Sequence, residues 1–185
     1  MDQIILACDD QGKFLEYIPK RVGHTGKGRR HLAVTVLLYN SKGEVLLQKR
    51  KHKVFDNIWD FTASTHPLHQ ENGQDESLEE AASRALREEY GIENVKLEKV
   101  GSFNYYAKID PDSIGVDGLC ENEYDNLLVG EYDGEVSLNP EIGYEYKWVS
   151  KSELLKDMAA DQDKYSAWAN EGLKILKSSD FFERR

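Results

Sequence analysis

The stretch SLEEAASRALREEYGI, residues 77–92, is the clearest structural signal in this chain of 185 residues. Ser77, followed three residues later by Glu80, forms a capping-box pattern that marks the start of a helix. Gly91 marks its end, because glycine readily adopts the left-handed conformation that closes a helix. The pattern therefore predicts a helix that runs to about Tyr90.

Segments with strand character lie on both sides of this helix. Before it, the alternation and turn signals predict strands over residues 4–8, 14–18, 31–39, 44–49 and 59–65, with 31–39 and 44–49 forming a hairpin. After it, they predict extended structure over 95–108, strands over 124–132 and 145–149, and helices over 151–158 and 165–177. Glycines and polar residues predict loops over 20–30, 68–76 and 109–118. Strands flanked by helices on a mixed sheet predict an α/β sandwich, formed as a single domain over residues 1–185.

The composition excludes several classes of partner. The net charge of -10 argues against nucleic acid or an anionic membrane, although a local basic pocket remains compatible with a phosphorylated small molecule. No apolar run approaches the roughly 20 residues that a membrane helix needs. The first residues lack the basic and apolar pattern of a signal peptide. Two widely separated cysteines, Cys8 and Cys120, are typical of a reducing cytoplasm, which is the expected location.

Metal-ligating residue types are spread over a hundred positions of the chain. Each histidine alone is more often an ordinary hydrogen-bonded residue. Two carboxylates that flank Asn122 would share one face of a strand and so reach one ion. Three imidazoles and two carboxylates suit an octahedral site for Mn²⁺, Mg²⁺ or Zn²⁺. The candidate set is His24, His31, His66, Glu121 and Glu123.

This set, in its order and spacing, resembles the metal-binding residues of type I isopentenyl diphosphate isomerases, a branch of the Nudix superfamily. Ser64-Thr65-His66-Pro67 is similar to the Cys-x-His-Pro loop of that family, and residues 84–92 resemble a degenerate Nudix box. The resemblance implies a Nudix-type α/β/α sandwich with a mixed β-sheet. It also implies that Glu88 and Glu89 hold Mg²⁺ bound to a diphosphate, because carboxylate and phosphate oxygens are the ligands that Mg²⁺ prefers.

The same resemblance assigns further roles. Lys20, Arg50 and Lys53, with Lys51 as the alternative to Lys53, are similar to the side chains that bind the diphosphate. Tyr105 and Trp168 resemble aromatic residues that stabilise a carbocation-like intermediate, since aromatic faces attract cations. In that family Glu123 would be the metal-linked acid of a 1,3-allylic proton shift. His52 and His69 are predicted to be surface residues.

Two departures from the family patterns leave three functions open. Ser64 replaces the catalytic cysteine, and Ala85 replaces the glutamate that follows Arg84 in Nudix hydrolases, a glutamate that the isomerases also lack. The leading hypothesis is a metal-dependent isomerase acting on a small prenyl diphosphate. The runner-up is a Nudix hydrolase that cleaves a diphosphate linkage in another metabolite. The third is a non-catalytic protein that binds a diphosphate metabolite. All three share a small-molecule diphosphate as partner.

Overall fold

The computed structural model describes residues 2–108 and 118–183. Its elements, in chain order, are β1 (Ile4–Cys8), β2 (Phe14–Pro19), α1 (Lys20–His24), β3 (His31–Tyr39), β4 (Glu44–Arg50), β5 (Trp59–Asp60), β6 (Ala63–Thr65), α2 (Leu78–Tyr90), β7 (Leu97–Lys108), β8 (Cys120–Glu131), β9 (Gly143–Ser150), α3 (Lys151–Ala160) and α4 (Ala167–Ser178). The loop predicted over 109–118 lies almost wholly outside the described residues. Within those ranges, no helix is both long and apolar enough to cross a bilayer.

Strand β3 is the centre of the sheet. One edge of β3 pairs in parallel with β8, from His31 opposite Glu123 to Tyr39 opposite Glu131. The other edge is shared in turn by β1, β6 and β4. Strand β7 continues the sheet beyond β8 in the antiparallel sense, and β9 pairs with β4. Parallel and antiparallel pairs occur together, so the predicted mixed sheet is confirmed.

Apolar residues on the two faces of the sheet belong to two separate clusters. Val36 packs on the side of helix α2 with Leu86. The next residue along β3, Leu37, packs on the opposite side with Leu127 and with Leu173 of α4. Successive side chains of a strand point to opposite faces, so both faces of β3 are buried under helices. The α/β sandwich predicted from the sequence is confirmed.

Helix α2 has the boundaries that its caps predict. The Ser77 hydroxyl accepts a hydrogen bond from the backbone N–H of Glu80, and the Glu80 carboxylate accepts one from Ser77. Gly91 closes the helix with a φ of 66°. A cap of this kind stabilises a helix by about 1 kcal/mol.

The hairpin predicted between β3 and β4 is confirmed, but the two strands pair only next to its turn. Tyr39 pairs with Val45, but no further pair of the two strands is hydrogen-bonded in the described residues. Where the two strands diverge, the hydroxyl of Thr62 lies between them. It accepts a hydrogen bond from the backbone N–H of Leu38 and donates one to the carbonyl oxygen of Leu46. The freed edge of β4 pairs with β5 and the freed edge of β3 receives β6, while β9 pairs with the opposite edge of β4.

Other boundaries also differ from the predicted ones. The loop predicted over residues 20–30 contains the short helix α1. The strand predicted over 59–65 is interrupted after Asp60, whose carboxylate accepts a hydrogen bond from the backbone of Phe61. Strand β8 begins at Cys120, so it includes both Glu121 and Glu123, which the sequence placed before the strand.

Candidate active site

Five side chains from four parts of the fold meet at one point. One ligand atom from each of them lies within 4.8 Å of all the others. The register of β3 and β8 places two of the five directly opposite each other. The centroids of the three imidazole rings are 4.7 to 4.9 Å apart. The set is His24, His31, His66, Glu121 and Glu123, the set predicted from the sequence.

Backbone carbonyls orient two of the histidines. His24 Nδ1 lies 2.7 Å from the carbonyl oxygen of Lys20, and His31 Nδ1 lies 2.8 Å from that of Arg29. Both Nε2 atoms are therefore left for another partner, as in histidines that bind a metal. His31 Nε2 and Glu121 Oε2 are buried without a hydrogen bond of regular geometry, and their nearest polar neighbours are Glu123 Oε1 at 3.3 Å and His24 Nε2 at 3.0 Å. The orphaned atoms and the mixture of nitrogen and oxygen donors fit a divalent ion.

Burial and neighbouring imidazoles set the charge states of His66 and Glu123. It lowers the pKa of His66 to about 3, so this imidazole is neutral and has a lone pair for a metal. Burial alone would raise the pKa of Glu123, but His31 and His66 outweigh it and hold the pKa well below its usual range. His66 Nε2 lies 2.8 Å from Glu123 Oε1. A carboxylate anion beside a neutral imidazole is the protonation state that metal binding requires.

A cavity of about 530 Å³ lies beside the cluster. The three basic residues predicted to bind a diphosphate, Lys20, Arg50 and Lys53, line it. Arg21 and His52 line it as well; the prediction of His52 as a surface residue holds only in part, because this exposed side chain is at the cavity rim. Cationic side chains are thus concentrated at a cavity of an otherwise acidic protein.

Two aromatic side chains, Tyr105 and Trp168, also line the cavity. The hydroxyl of Tyr105 donates a hydrogen bond to Glu123 Oε2. The rings of Tyr105 and Trp168 lie 5.9 Å apart, and the guanidinium of Arg50 is 4.8 Å from the centre of the Trp168 ring. Burial, followed by the charge of Glu123, raises the pKa of Tyr105 well above its ordinary value. The tyrosine therefore keeps its proton.

The helix carboxylates Glu88 and Glu89 do not share a site. Glu89 is buried and lines the cavity, and burial raises its pKa to about 7 against a hydrogen bond from Gln48. Glu88 has 55% of its side chain exposed and lies 3.8 Å from Arg84, so the prediction that both glutamates face one metal is corrected. Consecutive helix residues point about 100° apart, which separates the two carboxylates.

Two further charged residues, Lys51 and Glu76, form their polar contacts outside the cavity lining. The ammonium of Lys51 donates to the carbonyl of Pro140, so this alternative to Lys53 points away from the cavity. Glu76, which matches the first glutamate of the Nudix box, accepts two hydrogen bonds from the Arg84 guanidinium. Both side chains are outside the cavity lining.

Comparison with known proteins identifies the family. The family model described as the NUDIX domain matches residues 29–169. The chain belongs to the NUDIX domain family. Solved structures support this fold: the NUDIX chain superimposes with a TM-score of 0.61 on DR0079 from Deinococcus radiodurans, at 20% identity over 86% of this chain and 90% of that one. A MutT protein from Methanosarcina mazei Go1 gives a TM-score of 0.55 at 24% identity, over 84% and 91% of the two chains.

Within the NUDIX family, the chain is similar to curated proteins that are named isomerases. The chain is 34% identical to an isopentenyl-diphosphate Delta-isomerase of Aliivibrio fischeri, over 91% of each protein. It is 32% identical to isopentenyl-diphosphate Delta-isomerase 2 of Photorhabdus laumondii, over 99% of this chain and 97% of the relative. A similar protein with the same name from Aromatoleum aromaticum is 32% identical, over 90% and 82%. The chain is an isomerase-like NUDIX enzyme.

Ser64 lies at the cavity of this NUDIX chain, next to a carboxylate that the sequence did not single out. Its hydroxyl donates to Asp60 Oδ2 at 3.3 Å and accepts from Trp168 Nε1 at 2.9 Å. Arg50 lies 3.1 Å from the same carboxylate oxygen. Sequence reasoning also missed Asp125, a buried cavity residue whose Oδ2 accepts from Thr35 and whose Oδ1 has no hydrogen-bond partner. Asp60 lies between Trp59 and Phe61, and an acidic residue between two aromatic residues is the signal that could have identified it.

Replacing Gly23 by Ala is expected to weaken divalent metal binding at least tenfold. A Cβ atom at position 23 would lie 2.8 Å from His31 Nδ1 and 2.9 Å from its Cε1, so the buried ring would have to move. Ligand positions must hold to a few tenths of an ångström for tight binding. Calorimetric titration with Mn²⁺ measures the effect. Val22→Ala, a change to an exposed side chain of the same short helix, is the matched control. Equal Mn²⁺ affinity for both variants would contradict this account of the ring position.

Proposed function

We propose that this NUDIX enzyme isomerises a small prenyl diphosphate by a 1,3-allylic proton shift. The observation that carries the proposal is the cluster of three histidines and two glutamates beside a cavity that is lined by basic and aromatic side chains. The names of the curated relatives support the same reaction. Two free, buried cysteines, Cys8 and Cys120, support a reducing, cytoplasmic setting.

We assign the diphosphate to the basic side chains that line the cavity. Lys20, Arg50 and Lys53 would neutralise its charge, and Glu89 would hold a Mg²⁺ ion that would offset more of that charge. A second divalent ion, Mn²⁺, Mg²⁺ or Zn²⁺, would be bound by the five-residue cluster, where its charge offsets the two buried carboxylates. This arrangement directs the hydrocarbon part of the substrate towards Tyr105 and Trp168.

Proton transfer in this proposal needs one group on each side of the substrate. The hydrogen-bonded pair of Tyr105 and Glu123 would deliver a proton to the terminal alkene carbon. Positive charge that develops on the neighbouring carbon would face the rings of Tyr105 and Trp168, which attract cations. Ser64, which lines the cavity, would be the group at which a proton leaves the substrate.

A hydrolase remains the second candidate, since NUDIX folds of the MutT type are similar in structure. The carboxylates available for hydrolysis are few. Glu89 lines the cavity, whereas Glu76 is paired with Arg84, Glu88 is at the surface, and position 85 is alanine. This distribution favours the isomerase over the hydrolase.

The proposed function is tested with purified, metal-loaded protein and isopentenyl diphosphate in heavy water. We expect dimethylallyl diphosphate and deuterium in the substrate, because the shift exchanges carbon-bound protons with the solvent. A parallel panel of nucleoside diphosphate compounds is assayed for released phosphate. Phosphate release without deuterium uptake would replace the isomerase by the hydrolase. Neither product, together with tight diphosphate binding, would leave the binding protein as the function.

Replacing Arg50 by Ala is expected to weaken binding of inorganic diphosphate by tenfold or more. A hydrogen bond to a charged group contributes about 1.5 to 3 kcal/mol, and Arg50 lines the cavity with only 14% of its side chain exposed. Calorimetric titration in the presence of Mg²⁺ measures the affinity.

Lys51→Ala is the matched control for Arg50→Ala, because the neighbouring cation points away from the cavity. Thermal unfolding is measured in parallel, since Arg50→Ala also removes the cation from buried Asp60. Diphosphate affinity that is the same in wild type, Arg50→Ala and Lys51→Ala would remove Arg50 from the site.

A further inference from the structure

Asp60 is a carboxylate buried directly behind the cavity wall. Only 1% of the residue is exposed, and it ends strand β5 four positions before Ser64. Its Oδ1 accepts hydrogen bonds from the backbone of Phe61 and from Ser166, each at 2.8 Å. Its Oδ2 faces Arg50 at 3.1 Å and Trp168 Nε1 at 2.8 Å. The carboxylate is therefore held in a fixed orientation next to the serine that replaces the family cysteine.

The hydrogen bonds of Ser64 have a defined direction. Trp168 Nε1 donates to Ser64 Oγ at 2.9 Å, which occupies one lone pair of the hydroxyl. The serine proton points to Asp60 Oδ2 at 3.3 Å. A hydroxyl oxygen has two lone pairs, so the second one is left for a group in the cavity that Ser64 lines. Ser64 is thus positioned to accept a proton from the cavity as it passes its own proton to Asp60.

We propose that Asp60 is the final proton acceptor of the allylic shift, reached through the hydroxyl of Ser64; this inference rests on the proposed isomerase function. The allylic C–H bond of the substrate breaks, its proton joins Ser64 Oγ, and the original Ser64 proton moves to Asp60 Oδ2. The electron pair of the C–H bond forms the new double bond and neutralises the positive charge produced by protonation at the terminal carbon. Exchange with water afterwards removes the proton from Asp60 and returns one to the Tyr105–Glu123 pair. No oxidant, reductant or other reactant is needed.

The surroundings of Asp60 support a role as acceptor. Burial raises its pKa, against the charge of Arg50 and the hydrogen bonds from Ser166 and Trp168. The carboxyl groups of Glu89 and Asp125 also face this region, and burial raises the pKa of both. A serine alkoxide is far too basic to form alone near neutral pH, and the relay avoids it because the serine stays neutral. Asp60 thereby supplies the basicity that a cysteine thiolate would otherwise provide.

A double-mutant cycle separates this relay from a structural role. Asp60→Asn retains the shape of the side chain but removes its basicity. In the enzyme with Ser64, we expect this change to reduce deuterium uptake from heavy water at least about 100-fold, the usual loss on removing a general base. In the Ser64→Cys background, we expect less than a threefold loss, because the thiolate accepts the proton itself. If Asp60 had only a structural role, Asp60→Asn would reduce deuterium uptake equally in the enzyme with Ser64 and in Ser64→Cys.

Controls keep the test decisive. Asp157→Asn changes a carboxylate that is hydrogen-bonded by Lys164 and Tyr165 outside the cavity lining, and it should leave uptake unchanged. Thermal unfolding verifies that each variant folds. If Asp60→Asn does not fold, Ser64→Ala removes the relay while keeping the carboxylate, and the same 100-fold loss is expected.

Several results would overturn the relay. Uptake that persists in Asp60→Asn or Ser64→Ala would overturn it, and so would equal losses in the serine and cysteine backgrounds, while both leave the isomerase function intact. Absence of uptake in the wild type and in Ser64→Cys would reject the isomerase function, and the relay with it.

Discussion

Replacing Glu123 by Gln is expected to abolish isomerisation and to weaken divalent metal binding at the same time. Glu123 Oε1 lies 2.8 Å from His66 Nε2 and 3.3 Å from His31 Nε2, while its Oε2 accepts from Tyr105. The amide removes one negative charge from the metal site and cannot take part in the same proton transfer. We expect deuterium uptake to fall at least about 1000-fold, a loss in the range reported for general acid–base groups. Mn²⁺ affinity, measured by calorimetry, should fall at least tenfold.

The control for this prediction lies on the same strand. Glu131→Gln makes the identical chemical change at the exposed end of β8 and should alter neither quantity. Full uptake in Glu123→Gln would exclude Glu123 as the acid. Unchanged Mn²⁺ affinity would place the metal away from the five-residue cluster.

The sequence predicted the parts of this fold that local patterns determine. Helix α2 is an example, because Ser77, Glu80 and Gly91 specify both of its ends within sixteen residues. The five-residue cluster is another, because alternation along a strand places Glu121 and Glu123 on one face wherever that strand begins. A family pattern then added the three histidines, and the parallel register of β3 and β8 brings them together.

The parts that sequence did not predict depend on distant contacts. The sequence did not predict that β3 and β4 separate beyond their turn. They separate where the Thr62 hydroxyl, sixteen residues after Leu46, forms hydrogen bonds to the backbone of both strands. Asp60 was overlooked because its partners Arg50 and Trp168 lie 10 and 108 residues away along the chain. Contacts between residues so far apart in the chain leave no periodic pattern in the sequence.

Glu88 shows a different limit of prediction from sequence. Adjacent acidic residues of a helix box suggest one joint site, but the helix turns by about 100° between them. Only packing decides which of the two is buried. Tyr90, at the same end of α2, is anchored by its hydroxyl to the carbonyl of Thr62, and this contact fixes the rotation of the helix with Glu89 towards Gln48.

Replacing Ser64 by Cys is expected to raise the conversion of isopentenyl to dimethylallyl diphosphate at least about tenfold. A thiol ionises near pH 8.5, whereas a serine hydroxyl does not ionise in the neutral range. Trp168 Nε1, which donates to Ser64 Oγ at 2.9 Å, would donate to the thiolate from the same position and stabilise its charge. Initial rates of deuterium uptake measure the gain.

Adding Asp60→Asn to Ser64→Cys should change this rate less than threefold, because the thiolate accepts the proton itself. The native thiols provide the control: Cys120 is buried on the opposite face of β8 from Glu121, and Cys120→Ser should leave the rate unchanged. A rate in Ser64→Cys no higher than in wild type, with the diphosphate bound equally well, would show that proton removal at position 64 does not limit the reaction. The limiting step would then lie with the Tyr105–Glu123 pair, whose proton transfer precedes it.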